Sequence, residues 1–122
     1  MPSILIVDDQ PHIVRIMKSG LGRHGFDIRT AANGQQALES VREQRPDFIL
    51  SDIEMPLMNG VTLCENLLAE LGQDLPQILI ISGHYDQSMN EWLEQFDGKV
   101  HFYEKPVSMS RIVEILNELQ VE

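Results

Sequence analysis

Cysteine occurs once in these 122 residues, at Cys64, tryptophan once, and aromatic residues make up only 6%. A lone thiol has no intramolecular partner, so a hydrophobic core and not a disulfide framework must hold the fold. Basic residues are also scarce: 9 Lys and Arg stand against 19 Asp and Glu, a formal charge of −10. Such a chain repels a phosphate backbone and has no basic stripe for counterion release, which argues against direct nucleic-acid binding. The four histidines, His12, His24, His84 and His101, show no HxxxH spacing, so no zinc site is expected. Apolar runs reach four or five residues, far short of the roughly 18–20 that a membrane span needs. The start, MPSILIVDD, carries no basic leader, and a soluble cytoplasmic protein is expected.

What is present is a regular alternation. With a hydrophobic fraction of 43% and no repeat or low-complexity tract, the chain reads as one folded domain over residues 1–122. The runs ILIV (4–7), FIL (48–50) and ILII (78–81) are β-branched and lack polar alternation, as strands buried on both faces do. DIRTA (27–31) and VHFY (100–103) are shorter or more polar and suit the sheet's edges.

Helical spacing lies between these runs. It joins Ile13, Ile16, Met17 and Leu21, then Ala37, Leu38 and Val41, then Val61 to Leu71, then Met89, Leu93 and Phe96, and finally Ile112, Ile115, Leu116 and Leu119. Cys64 falls on the apolar face of the third helix and reads as a small core residue. Trp92, beside the fourth stripe, reads as partial core packing, with a partner contact as the other role open to it. Gly20 and Gly22 each cost about 1 kcal/mol relative to Ala inside a helix, so the first helix is expected to fray at its end. A strand followed by a helix, five times over, requires right-handed crossovers and predicts a doubly wound parallel α/β sheet with helices on both faces.

In such a sheet the carboxyl ends of neighbouring strands converge on one crevice. Asp8 and Asp9 follow the first run, Asp52 the third, Ser82 the fourth and Lys105 the fifth. Three acids gathered at one edge repel one another, and a divalent cation such as Mg²⁺ relieves that repulsion. A carboxylate at position 52 beside such a cation can attack a phosphoryl group, with Lys105 and the Ser82 hydroxyl on the phosphoryl oxygens. Read singly, each residue has a plainer role: Asp8 and Asp9 as helix caps, Ser82 with Gly83 as a turn, Lys105 as a solvated charge.

Taken in order, Asp8-Asp9, Asp52 within SDIEMPLMNG, Ser82 in ISG and Lys105 in the KP dipeptide resemble the receiver domain of bacterial two-component response regulators, over essentially the whole chain. The resemblance implies a flavodoxin-like sheet of order 2-1-3-4-5. It implies Asp52 as phosphoacceptor for a sensor histidine kinase or a histidine phosphotransfer protein, and Mg²⁺ (or Mn²⁺) held by Asp9 directly, by Asp8 through water, and by Asp52 and the Glu54 backbone carbonyl. Ser82 and Lys105 would read the phosphate. Phe102, three residues before the lysine, would be the switch aromatic, with Tyr103 facing the other way by strand alternation.

Glu54 and His84, each two residues past a site residue, would modulate the lifetime of the acyl phosphate. Val107 departs from the family, which most often has an aromatic after the KP dipeptide. The expected output is a change in binding to a downstream effector, with phosphorylation-dependent dimerisation open. No output domain is expected within this chain, which is either a stand-alone receiver or a piece of a longer regulator or hybrid kinase. Two other readings stand beside this one. A haloacid-dehalogenase-type phosphatase would need Asp where Glu54 stands and an acidic pair after its lysine. A receiver-like scaffold without phosphorylation would not need the full acidic set.

Overall fold

The computed structural model describes residues 2–83 and 86–120. The chain runs β1 (Ser3–Val7), α1 (Pro11–Gly22), β2 (Asp27–Ala31), α2 (Gly34–Glu43), β3 (Phe48–Ser51), α3 (Gly60–Leu71), β4 (Gln77–Ser82), α4 (Ser88–Glu94), β5 (Val100–Glu104) and α5 (Met109–Gln120), with one 3₁₀ turn at Gly72–Asp74. The five strands form one sheet in the order β2-β1-β3-β4-β5, and every neighbouring pair is parallel. This is the doubly wound, flavodoxin-like arrangement expected.

Strand alternation sorts the core into two layers. Leu5, Val7, Ile49, Ile78, Ile80 and Val100 face α2 and α3, where they meet Ala37, Leu38, Val41, Leu63, Cys64 and Leu67. Ile4, Ile6, Phe48, Leu50 and Leu79 face the opposite way, onto Leu21 of α1 and Ile112, Ile115 and Leu116 of α5. Leu5, Ile49, Ile78 and Leu79 are wholly buried, which is why β1, β3 and β4 carry unbroken apolar runs. Cys64 lies in the first layer at 0% exposure, and burial pushes its thiol pKa up to about 12. No helix of the described residues is long and apolar enough to cross a membrane.

Local chemistry explains where the helices begin. Asn33 caps α2, its side-chain oxygen accepting from Gln36 N at 2.8 Å, while Gln36 Oε1 accepts from Ala32 N at 2.9 Å. Asn59 caps α3 by accepting from Thr62 N at 2.9 Å, and Ser108 caps α5 by accepting from Arg111 N at 3.1 Å. At Gly20, α1 comes close to the start of α5: a Cβ there would lie 2.6 Å from Cε, the free end of the Met109 side chain.

Two helical stripes depart from expectation. Ile16 is 62% exposed, whereas Leu21 in the same stripe is wholly buried. Ile16 stands at the edge of a cavity and not over the sheet. In the fourth stripe, α4 stops at Glu94, and Phe96 reaches the core from beyond the helix end. The turn there uses Asp97 at φ 53° and Gly98 at φ 77°, the left-handed region in which Gly is at ease.

Candidate functional site

β1 and β3 lie side by side at the centre of the sheet, with Val7 in register with Ser51. The next residue on each strand is an aspartate, so chain order alone brings Asp8 and Asp52 to the same edge. Asp52 N donates to Val7 O at 3.3 Å, which carries the pairing one step past the strand. Asp52 Oδ1 accepts from Ile53 N at 2.7 Å, and Oδ2 lies 3.3 Å from Lys105 Nζ. The side chain of Asp52 is 16% exposed and that of Lys105 45%, so the pair lies at the mouth of the crevice. Lys105 N donates to Ser82 O at 2.8 Å, fixing the turn after β5 against the end of β4. The Lys105–Pro106 peptide is cis.

Asp8 is 8% exposed, and its Oδ1 accepts from Gln10 N at 3.0 Å. Burial is the largest cause that raises its pKa. The Gln10 amide opposes the rise, Asp52 adds to it, Lys105 opposes it and Asp9 adds to it. Proximity to Asp52, Lys105 and Asp9 is therefore written into the electrostatics of one buried carboxyl.

Two cavities meet at Asp52. One, of about 650 Å³, is lined by Asp9, Gln10, Asp52, Glu54 and Asn59 among others, and is the polar side. The other, of about 330 Å³, runs between α1 and the start of α5, with Ile16, Met17, Leu50 and Val107 in its walls and Asp8, Asp52 and Lys105 at its end. Val107, which stands where the resemblance leads to an aromatic, is one of the residues lining this second space.

The donors on the polar side suit a hard cation. Asp9 and Asp52 supply two carboxylates beside the Glu54 segment, in a space large enough to retain several waters. Among the described residues no three His, Cys, Asp or Glu side chains converge on one point as a metal-ligand group. Mg²⁺ does not need that, because it is usually held by one or two carboxylates and keeps much of its water. Asp8 borders the apolar cavity instead, one residue back from Asp9.

Ser82 is buried at 6% exposure. It is joined to Lys105 through its backbone carbonyl, and among the described residues its hydroxyl makes no hydrogen bond to Asp52. Phe102 pairs with Ile80 and Glu104 with Ser82, so Ser82 and Phe102 share a face of the sheet. Phe102 packs on the layer beneath α2 and α3, and Tyr103 packs on the opposite one, as alternation requires. Trp92 is half-buried, edge-on to Phe96 at 4.7 Å, and donates to Glu65 Oε2 at 3.0 Å. His84 lies outside the described residues.

Sequence reasoning missed the residues that shape the loop between β3 and α3. A Cβ on Gly60 would lie 2.4 Å from Asp52 O, and one on Gly34 would lie 2.5 Å from Met58 O. Asn33-Gly34 and Asn59-Gly60 have the composition of ordinary turns, and nothing in that composition tells that the glycine is pressed against a second segment.

Comparison with known proteins follows the same lines. The model of the response regulator receiver domain matches residues 4–117. The protein-glutamate methylesterase/protein-glutamine glutaminase of Haloarcula marismortui is 34% identical over 122 residues, covering 93% of this chain and 32% of that protein. The DNA-binding response regulator MtrA of Mycolicibacterium smegmatis is 44% identical over 69 residues, 57% of this chain and 30% of its own length. The chain thus spans about a third of the length of these curated relatives.

Among solved structures, the chemotaxis protein CheY4 of Vibrio cholerae superposes with a TM-score of 0.86 at 24% identity, covering 97% of this chain and 98% of that one, a likeness of fold. The response regulator TrrA of Thermotoga maritima, solved in complex with Mg²⁺-BeF, superposes with a TM-score of 0.81 at 26% identity, covering 98% of this chain and 99% of that one.

Proposed function

The chain belongs to the response regulator receiver domain family, and on that premise we propose that it is a magnesium-dependent phosphoacceptor over residues 1–122, with Asp52 as the residue modified. The observation that carries this reading is the 3.3 Å approach of Lys105 Nζ to Asp52 Oδ2, across 53 residues of chain, at the edge where Asp8 and Asp9 follow β1. The phosphoryl donor is a sensor histidine kinase or a histidine phosphotransfer protein.

One oxygen of Asp52 attacks phosphorus, the phosphorus–nitrogen bond to the donor imidazole breaks, and its electron pair returns to the ring nitrogen. The product is an aspartyl phosphate. Ile53 N, bonded to Oδ1, orients the carboxylate before attack. Lys105 is a fixed cation beside the phosphoryl oxygens. Asp9, Asp52 and the Glu54 carbonyl are the residues that would hold Mg²⁺ (or Mn²⁺), with Asp8 through water. When bound, the ion neutralises charge on the carboxylates and on the transferred group. Glu54 and His84 act on the lifetime of the product through their side chains.

Phosphorylation adds about −1.5 to −2 charges at one end of the crevice. Ser82 turns its hydroxyl to the new oxygens, and Phe102, on the same face, repacks behind it. A coupling of about 1–3 kcal/mol is enough to change the affinity of a downstream effector or output domain several-fold or more. The chain acts in the cytoplasm and, at a charge of −10, does not itself bind nucleic acid. Self-association on phosphorylation is one form its output can take.

The test is incubation with Mg²⁺ and acetyl phosphate followed by intact-mass measurement. A single phosphoryl adduct is expected in the wild type and none in Asp52→Asn. No adduct, or an adduct that survives in Asp52→Asn, removes the proposal.

A further inference from the structure

The segment 53–59 carries the backbone carbonyl assigned to the metal, and its shape is set by contacts that no side chain of the site supplies. Gly60 N donates to Ile53 O at 2.8 Å and Met58 N donates to Pro56 O at 2.7 Å, so the loop closes on itself. Leu57, at its tip, has φ 70° and is 85% exposed. A leucine in that conformation is not held there by its own preference, so the loop's shape comes from what presses on it.

Two glycines let neighbouring backbone close on the loop. Gly60 lies under Asp52, where a Cβ would come within 2.4 Å of Asp52 O. Gly34, the first residue of α2, lies outside the loop, where a Cβ would come within 2.5 Å of Met58 O and 2.8 Å of Met58 Cβ and Cγ. Neither glycine has a positive φ. Their requirement is for space.

Met58 is partly buried and held by its side chain. Its side chain packs on the core layer beneath α2 and α3, and its Sδ accepts from Asn66 Nδ2 at 3.5 Å. Gly34 is itself buried, and α2 is fixed in register by the Asn33 cap. A methyl group at position 34 therefore meets backbone that is anchored from behind, and the displacement passes along the closed loop towards Glu54 and Asp52. Gly20 offers the contrast: a Cβ there also meets an atom at 2.6 Å, but that atom is the free end of Met109, which can rotate away.

We propose that Gly34 is a positioning residue for the metal site, acting through Met58 to set where the 53–59 loop presents its carbonyl. This deepens the function proposed above and rests on it. Groups that orient metal ligands from behind typically change affinity by about 10–100-fold when altered. Gly34→Ala should therefore weaken Mg²⁺ binding at least about tenfold, and Gly20→Ala should leave it unchanged.

The experiment is calorimetric titration of Mg²⁺ into wild type, Gly34→Ala and Gly20→Ala. It is joined to hydrogen exchange of the metal-free proteins and to their urea unfolding midpoints. Gly34→Ala is expected to bind Mg²⁺ more weakly and to exchange faster at 53–59, with β1 and β3 still protected. An unchanged Mg²⁺ affinity in Gly34→Ala, a fall in unfolding midpoint alone, or an equal loss in Gly20→Ala overturns the assignment. If alanine at 34 prevents folding, Met58→Ala loosens the same loop from its other side, and wild-type Mg²⁺ affinity in that variant overturns it too. A wild-type chain that takes up no Mg²⁺ sinks the proposed function and this inference together. Uptake by wild type with an indifferent Gly34→Ala sinks the inference alone.

Discussion

β1 and β3 lead directly into Asp8 and Asp52, β4 ends in Ser82 and β5 leads into Lys105, all at one edge of one sheet, yet the structure behind the two pairs differs. Behind the acids, β3 is buried at every residue. The α3 helix that follows has twelve residues, an Asn59 cap and four buried positions. Behind Ser82 stands α4, with seven residues and no fully buried residue, its start held by Asp86 Oδ1 accepting from Ser88 N at 2.9 Å, while β5 is only half-buried over His101, Phe102 and Tyr103. The half that holds the acids is braced, and the half that would answer to phosphorylation rests on fewer supports. On the function proposed above, precise chemistry would use the first property and a change of shape the second.

The largest expected effect tests that separation by cavity formation. Leu67→Ala in α3, at a wholly buried site, should cost about 2–5 kcal/mol. Leu93→Ala in α4, at a partly buried site, should cost distinctly less. Urea denaturation of the two variants makes the comparison, and equal losses would break it.

Next comes the tether of α4 to α3. Trp92→Phe keeps a ring against Phe96 but loses the indole hydrogen bond to Glu65, a loss of about 1 kcal/mol. Exchange at the α4 amides should quicken while that of α3 stays as it is. A uniform quickening across both helices would show that the two halves are coupled rather than distinct.

The smallest effect is electrostatic and belongs to the braced half. The pKa of Asp8 is raised in the folded chain, chiefly by burial, so its neutral form favours folding and its ionised form opposes it. Its contribution is fully present below the ordinary carboxylate value and is lost as pH rises through the raised one. Without Mg²⁺, Asp8→Asn should be more stable than wild type at neutral pH, and the two should converge as the solution is acidified. Unfolding midpoints across a pH series in a chelator decide it, and divergence on acidification would reverse the sign argued here.

The unbroken apolar runs of β1, β3 and β4 were legible because burial on both faces leaves a strong signature. From the strand ends it followed that Asp8, Asp9, Asp52 and Lys105 would share an edge. Phe96 was misplaced for a physical reason: a residue three past Leu93 has helical spacing whether the helix continues or, as here, turns back at Asp97 and Gly98. Ile16 was misplaced because periodicity marks a helix face without saying how far the neighbouring helix leaves it covered. The strand order came from resemblance rather than from pattern. The roles of Gly34 and Gly60 were illegible, since a glycine needed for contact and one needed for a turn are written with the same letter.

The thiol of Cys64, sealed in the layer beneath α3 and held protonated at neutral pH, leaves the chain without a reactive sulfur at its surface. Two cysteines introduced one on α4 and one on α3 would then be the only points of attachment for a pair of spin labels or dyes, so the distance between the two halves can be followed through a phosphorylation cycle without first removing a native residue.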